Sequence, residues 1–394
     1  MIKNKIQDLA AHIFNDVVSY RQHLHAHPEL SFKEFETSLY IKEKLTDWGI
    51  EFTACADTGV VGLIKGSLPS DKVIALRADM DALPINEAND KPYKSKNNGA
   101  MHACGHDVHT SSLLGTAYIL NQLKDEFAGT VKLIFQPAEE LLPGGASIMI
   151  KEGVLENPKP DYIVGQHVMP FIPSGKVGFR SGIYMASTDE LYVTVTGKGG
   201  HGAQPQQNID PVVIAAHIII ALQQIVSRNA DPRLPTVLSF GKVTASGATN
   251  IIPNEVKIEG TFRTLNEEWR AEAHKRMKKM AEGMAESMGG SCNFDIHKGY
   301  PFLINEEKLT SNARGFAEEF LGADNVVDLD IWMAAEDFSF YSQITDACFY
   351  RLGTGNAAKD TEHAVHTPKF DIDEDALRIS TGLMAYIAVK QLGN

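Results

Sequence analysis

Cysteine is scarce in this chain: four in 394 residues, Cys55, Cys104, Cys292 and Cys348, with no Cys-x-x-Cys pair. Such scatter excludes a disulfide framework and fits reduced thiols. Basic charge is also short. Lys and Arg number 37 against 50 Asp and Glu, a net charge of −13, which argues against nucleic acid or an anionic membrane as the main partner. No apolar run is read as reaching the length of a transmembrane helix. The opening MIKNKIQDLAAHIFNDVVSYRQ lacks the apolar block and small-residue cleavage site of a signal peptide. The expectation is a cytoplasmic protein with no nucleic-acid and no membrane partner. There is no internal repeat or low-complexity tract, and GKGGHGA (197–203) lacks the Gly-Lys-Ser/Thr ending of a phosphate loop.

What is present fits a chain of two or three domains, with 43% hydrophobic and 22% charged residues. The N-terminal stretch reads as an amphipathic helix with Ile6, Leu9, Ile13, Phe14 and Val17 on one face. A second helix follows, with Ser31 and Glu34 as a capping box and Gly49 as its stop. KVIALRAD (72–79), TVKLIFQPAEE (130–140) and DYIVGQHV (161–168) are short, nearly continuous apolar runs. Strands covered by helices on both faces of a parallel sheet have this texture. Helical spacing around 107–124 and 145–155 completes a βαβ pattern.

From about residue 180 the strands become shorter and alternate, as in ELYVTVTGKGG, TVLSFGKVTA, NEVKIEGTFRTL and SCNFDIHKG, with helical stretches at 210–228 and 267–288. After Tyr300 the βα texture returns and ends in a helix near 374–391. The expected fold is α/β. A mostly parallel-sheet domain (1–180 and 300–394) with helices on both faces carries an inserted two-layer α+β domain (181–299).

The chemistry-bearing residues fall at strand ends: Asp79 and Asp81 after one run, Glu139 and Glu140 after the next, His167 near the end of the third. Ligands bind outside the carboxyl ends of strands in open parallel sheets. MHACGHDVHTS (101–111) adds His102, Cys104, His106, Asp107 and His109, and EHAVHTPKF adds His366. A mixed Cys/His/Glu set drawn from distant segments suits a two-metal catalytic site better than a closed structural zinc site. In the adjacent pair Glu139–Glu140, one carboxylate can ligate while the other faces the reacting water.

These residues match a known pattern. RADMDALP, MHACGHDVHT, QPAEE, GKGGHGAQP and HTPKFDID, in this order from about residue 20 onward, resemble the metal-dependent aminoacylase/carboxypeptidase family. The branch they resemble includes hippurate hydrolases, auxin-conjugate hydrolases and N-acetyl-diaminopimelate deacetylases. The resemblance implies a catalytic domain and an inserted lid that dimerises, hence a homodimer. It implies two divalent metal ions per subunit, zinc or manganese first, with cobalt and nickel acceptable. It implies ligands at Cys104, His106, Glu140, His167 and His366, with Glu139 as general base on a metal-activated water. Asp79 is taken as the catalytic-site carboxylate that orients a ligating histidine. His201 is implied to stabilise the oxyanion, and Asn250 and Arg263 to bind the carboxylate of a small-molecule substrate. The implied activity is hydrolysis of N-acyl-L-amino acids to a carboxylic acid and a free amino acid. The alternatives are a dipeptidase or carboxypeptidase with the same dinuclear site, and a non-catalytic metal-binding protein on this fold.

Plainer readings stand beside these. Cys104 could be a small buried hydrophobe, or a nucleophile paired with a histidine. His23, His25 and His27 have alternate spacing that does not suit one helix face, so capping or packing is expected there. His102 and His109 are read as supporting or packing residues, and Asp107 as either a helix cap or a support. Cys55, Cys292 and Cys348 lie in strand-like runs and are expected in the core. Arg263 on its own would be an ordinary structural arginine.

Overall fold

The computed structural model describes residues 2–393. Helices α1 (Ile2–Ala26) and α2 (Phe35–Asp47) precede strands β1 (Glu51–Cys55), β2 (Gly59–Lys65) and β3 (Leu68–Asp79). Next come α3 (His106–Gln122), β4 (Ala128–Gln136), α4 (Gly145–Lys151), β5 (Tyr162–Pro173), β6 (Val177–Phe179) and β7 (Gly182–Met185). The middle of the chain carries β8 (Asp189–Thr196), β9 (Gly200–His201), α5 (Pro211–Gln224), β10 (Thr236–Ala245), β11 (Ile251–Ile252), β12 (Glu255–Thr264), α6 (Glu267–Ser287) and β13 (Ser291–Lys298). The remainder holds β14 (Leu303–Asn305), α7 (Glu307–Leu321), β15 (Val326–Asp328), α8 (Ser339–Ser342), β16 (Asp346–Gly355) and α9 (Ala376–Gln391).

The chain forms two compact units. One takes the chain up to Tyr184, Ile304–Asp330 and everything from Asp337 on; the other takes Met185–Leu303 and Ile331–Glu336. The short segment 331–336 thus packs with the second unit, although the sequence pattern assigns it to the discontinuous first domain.

The first unit is built on a sheet of order β1-β2-β4-β3-β5-β16-β6-β15. Its centre is parallel: β3 pairs with β4 and β5, and β5 with β16. The registers Asp79↔Gln136 and Arg351↔His167 bring the carboxyl ends of these strands to one edge. Helix α3 packs on β3, β4 and β5, and α1 and α9 pack on it in turn. That is why α3 is buried along nearly its whole length. At Gly115 the approach leaves no room for a side chain: a Cβ would lie 2.7 Å from both Val17 Cγ2 and Thr381 Cγ2. The face expected of α1 is used, with Ile6, Ala10, Ile13 and Val17 buried and Leu9 and Phe14 partly covered.

The capping box expected at α2 does not form. The helix starts at Phe35, and Ser31 donates instead to Asp81 Oδ2 at 2.6 Å. Glu29 satisfies the first turn, accepting from the amides of Glu36 and Thr37 at 3.2 and 2.8 Å. Gly49 does end the helix, in the left-handed region at φ 66°.

The second unit is a four-stranded antiparallel sheet, order β10-β12-β8-β13. Leu191, Val193, Val195, Val256, Ile258 and Phe262 point from it into one core with residues of α5 and α6. Contrary to the expectation that no run is long enough, Pro211–Asn229 has the length and apolarity of a membrane span. Its inner face, Ile214, Ala215, Ile218, Leu222 and Ile225, belongs to that two-layer core, while Val212, Val213 and Ile220 are exposed. At the base of the sheet, buried Asp189 accepts from Arg270 Nη2 at 2.6 Å and lies 2.6 Å from His274 Nε2. Of the three cysteines expected in the core, Cys348 is buried, whereas Cys55 and Cys292 are half-buried.

Candidate metal centre

The carboxyl edge of the first unit's sheet gathers the residues singled out above. Asp79 is the last residue of β3, and Asp81 lies two residues beyond it. The segment 101–105 then leads into α3, which starts at His106. Gly105 makes that entry possible. It has φ 83°, and a Cβ there would lie 2.6 Å from Val168 Cγ2. Glu139 and Glu140 follow the end of β4. His167 sits well inside β5, which runs on to Pro173, rather than near the end of its strand. His366 lies after β16 with φ 62°, tethered by its amide to Ala103 O at 2.7 Å.

The five expected ligands come together. Cys104 Sγ is 3.3 Å from His167 Nε2 and 3.3 Å from His366 Nε2. Glu140 Oε1 is 3.2 Å from His366 Nε2 and 3.9 Å from His106 Nε2. Cys104, His106 and His167 form one triad whose donor atoms lie within 4.8 Å of one another, and Cys104, Glu140 and His366 form a second. The sulfur is common to both. A further group of the same compactness joins His106 and Glu140 to Glu139.

Hydrogen bonds fix which ring nitrogens face this space. His167 Nδ1 donates to Val168 O at 2.8 Å, leaving Nε2 toward Cys104. His106 Nδ1 donates to Asp81 O at 2.9 Å and is 3.2 Å from Asp81 Oδ1. His106 Nε2 is buried and has no hydrogen-bond partner among the described residues.

His109 differs. Its Nδ1 donates to Asp79 Oδ1 at 2.5 Å, and its Nε2 accepts from the Val168 amide at 2.9 Å. Both nitrogens are engaged, so no lone pair is left for a metal. The orienting role expected of Asp79 is thereby corrected. Asp79 lies 3.9 Å from His106 Nε2, beyond hydrogen-bond range, and binds His109 and the buried Arg77. Asp81 is the carboxylate that holds the histidine facing the cluster. It also accepts from the amides of Glu139 and Glu140, each at 3.0 Å.

The electrostatics fit a cationic occupant. Burial alone would lower His106, but Asp79, Asp81 and Glu140 outweigh it and hold its ring protonated up to about 10. Burial, then Glu140, Glu139 and Asp79, push the Cys104 thiol well up. An activated cysteine nucleophile needs the opposite, an electropositive setting. A thiol among carboxylates is deprotonated readily only when positive charge is bound beside it. The donor set, one sulfur with imidazoles and a carboxylate, is of the kind that takes divalent transition metals.

Supporting charges surround the cluster. Arg77, fully buried in β3, donates to Asp79, to Gln136 Oε1 at 2.9 Å and to Asp337 Oδ1 at 2.7 Å. Asp107 does not cap α3; its Oδ2 accepts from Arg21 Nε at 2.8 Å and lies 2.7 Å from His25 Nδ1. Arg21 and His25 hold that carboxyl far below its usual range, despite burial. Thus His25 is a packing residue within a charge network, while His23 stacks on Tyr40 at 4.3 Å. Buried His102 stays neutral, its pKa lowered to about 4 by desolvation. Sequence reasoning missed Arg77, Arg21 and Asp337. An arginine inside the apolar run VIALRAD was the available signal for the first; the other two have no local signature.

The remaining predicted residues lie in the second unit. His201 is on β9 and exposed, its Nδ1 accepting from the Ala203 amide at 3.0 Å. Asn250 stands next to it, because His201 pairs with Ile251 and Asn250 O accepts from the Gly202 amide at 2.9 Å. Arg263 is partly buried on β12, in the other sheet of this unit.

Comparison with known proteins agrees with this geometry. Residues 75–390 match the model of peptidase family M20/M25/M40. The chain is 43% identical over 309 residues to an N-acyl-L-amino acid amidohydrolase of Geobacillus stearothermophilus, covering 78% of this chain and 83% of that one. It is 38% identical to thermostable carboxypeptidase 2 of Saccharolobus solfataricus, over 97% and 99% of the two chains. The fold is similar to the crystal structure of the Bacillus subtilis YXEP protein, a dinuclear metal-binding peptidase of the M20 family. There the TM-score is 0.83 at 36% identity, covering 97% of this chain and 99% of that one. With its signature residues drawn to one edge of a parallel sheet, this chain belongs to the peptidase family M20/M25/M40, hydrolases of amide bonds.

Proposed function

We propose that this protein is a dinuclear metal-dependent amidohydrolase that cleaves N-acyl-L-amino acids to a carboxylic acid and a free amino acid. The observation that carries the reading is the pair of triads sharing Cys104, with Glu139 beside them. Cys104, His106, Glu140, His167 and His366 would hold two divalent ions. Zinc or manganese suits this mixture of thiolate, imidazole and carboxylate, and cobalt or nickel is compatible. Bound there, such ions supply an acidified water and a polarised carbonyl.

The rest falls to the protein's own groups. Glu139 takes a proton from the attacking water, whose oxygen bonds to the acyl carbon. When the C–N bond breaks, Glu139 returns that proton to the departing nitrogen. Asp81 receives the amides of Glu139 and Glu140, so the base and its ligating neighbour are aimed by one carboxylate. His201 donates to the developing oxyanion, and Asn250 and Arg263 grip the substrate carboxylate. Apolar residues exposed on α5, with Ile220 70% exposed, support homodimerisation through the second unit.

The test is a panel of N-acetyl and N-benzoyl amino acids against dipeptides, run on protein of measured metal content. Faster turnover of dipeptides would replace this reading with a dipeptidase or carboxypeptidase, in keeping with the carboxypeptidase relative. Bound metal without hydrolysis of any substrate would leave a metal-binding protein.

A further inference from the structure

The peptide units that carry Glu139 and Glu140 are held in an unusual way. Three successive amides, those of residues 138, 139 and 140, each donate to a carboxylate. Asp81 takes the last two, and Glu34 Oε1 takes that of Ala138 at 2.9 Å. Ala138 has φ 50°, in the left-handed region that alanine rarely adopts. The same Glu34 oxygen accepts from the amide of Phe32 at 2.9 Å, and Phe32 is also left-handed, with φ 64°. The other oxygen accepts from Thr58 Oγ1 at 2.9 Å. One fully buried carboxylate therefore fastens two backbone turns that would otherwise relax.

Beyond the turn at Phe32, Glu34 has no local duty in its own helix. It stands at the start of α2 but makes no capping bond to its own helix, and Glu29 satisfies the first-turn amides. Glu34 and Asp81 bind successive amides of one short segment, so two buried carboxylates are held near each other, and carboxylates kept close in low dielectric repel each other. Holding them there brings no benefit to α2; the shared result is a fixed path for residues 138–140.

We propose that Glu34 is a positioning residue for the catalytic site, fixing the left-handed turn at Ala138 so that Glu139 and Glu140 point into the cluster. The inference rests on the functional reading above, but it makes a separate claim about metal affinity. Reach and acceptor capacity are what matter. Glu34→Gln keeps an oxygen for the two amides, whereas Glu34→Asp shortens the side chain by one methylene and withdraws it from Ala138.

The experiment measures kcat and KM for an N-acyl amino acid at saturating zinc, and the affinity for cobalt(II) by optical titration. The variants are Glu34→Ala, Glu34→Asp, Glu34→Gln and, as a control, Glu29→Ala. Glu34→Ala and Glu34→Asp are expected to lower kcat by about 100-fold with KM within about threefold, and to weaken cobalt binding by about 10- to 100-fold. Glu34→Gln should recover kcat to within about tenfold of wild type. Glu29→Ala should lower the melting temperature by frayed capping of α2 and leave kcat near wild type. If Glu34→Ala does not fold, the contrast between Glu34→Asp and Glu34→Gln decides. Equal kcat and equal cobalt affinity for those two variants would overturn the proposal, as would a kcat for Glu34→Ala within about threefold of wild type at full metal occupancy. Should the wild-type protein bind cobalt yet hydrolyse no amide, the functional reading fails, and Glu34 is judged on the cobalt affinities alone.

Discussion

Buried charge is distributed unevenly between the two units. In the first, Arg21, Arg77, Asp79, Asp81, His106, Asp107 and His109 are all essentially inaccessible, and each is bonded to another of the set: Arg21 to Asp107, Asp79 to Arg77 and His109, and Asp81 to His106. In the second, the residues assigned to the substrate are His201 and Asn250 on an exposed two-stranded ladder, and Arg263 on a partly covered strand. Asp189 and Arg270 there are buried and His274 is partly covered, but the group joins β8 to α6 rather than supporting those side chains. A metal set tolerates little displacement, so its side chains are built into a rigid charge network. A group that grips a substrate carboxylate can adapt as the substrate arrives, and a rigid surround is unnecessary.

This contrast can be broken at several points. The largest effect belongs to the residue proposed as base. Glu139→Gln should lower kcat by about 1,000-fold with metal content unchanged; turnover near wild type in metal-loaded protein would remove Glu139 from the mechanism. Next comes the charge network. Arg21→Met removes the buried guanidinium that Asp107 and Asp371 share, leaving them His25 and the more exposed Lys91; breaking a buried pair of this kind costs about 3–5 kcal/mol, readable as a shift in chemical denaturation at neutral pH.

The sign of its pH dependence follows from the same network. Arg21 holds Asp107 and Asp371 below the ordinary carboxylate range despite burial. Their contribution is therefore fully present above the unfolded-chain value of about 4 and is lost as the pH falls through their folded-state values. In Arg21→Met those values rise toward the ordinary range, so the acid loss of stability should start at the same pH, which the unfolded chain sets, but finish at higher pH and be smaller in total. An unchanged acid profile would show that the network contributes no proton linkage.

Asp81→Ala should weaken metal affinity about 10- to 100-fold by releasing His106 and the Glu139–Glu140 amides together; chelator competition measures it. The smallest effect sharpens the comparison from the other side. Arg263→Ala should lower kcat/KM by about tenfold, mostly through KM, with little change in denaturation midpoint. A large loss of stability in that variant would mean that the second unit also depends on its substrate residues for its fold.

Much of this arrangement is legible in the sequence itself. The three apolar runs became parallel neighbours because continuous apolarity requires cover on both faces, and residue types at their ends marked the edge where ligand groups gather. The five expected ligands converge for that reason. What sequence could not supply was the assignment of hydrogen bonds. Asp79 and Asp81 are two residues apart, which on a continuing strand puts both on one face; β3 stops at Asp79, and from there they serve different partners. His109 sits three residues after His106 and looks like a ligand, yet the Val168 amide already occupies its lone pair. Ser31 and Glu34 have the spacing of a capping box, but tertiary acceptors and donors near Asp81 and Ala138 claim both side chains.

The seam at Gly105 bears on how this stretch can change over time. A side chain there would strike Val168, whose amide is held by His109 and whose neighbour is His167. Residues 104–109 and the middle of β5 are thus interlocked, and single replacements within them disturb several neighbours at once. Such a block can change only through several compensating replacements together, whereas exposed positions of the second unit's ladder other than His201 and Asn250 can change one at a time.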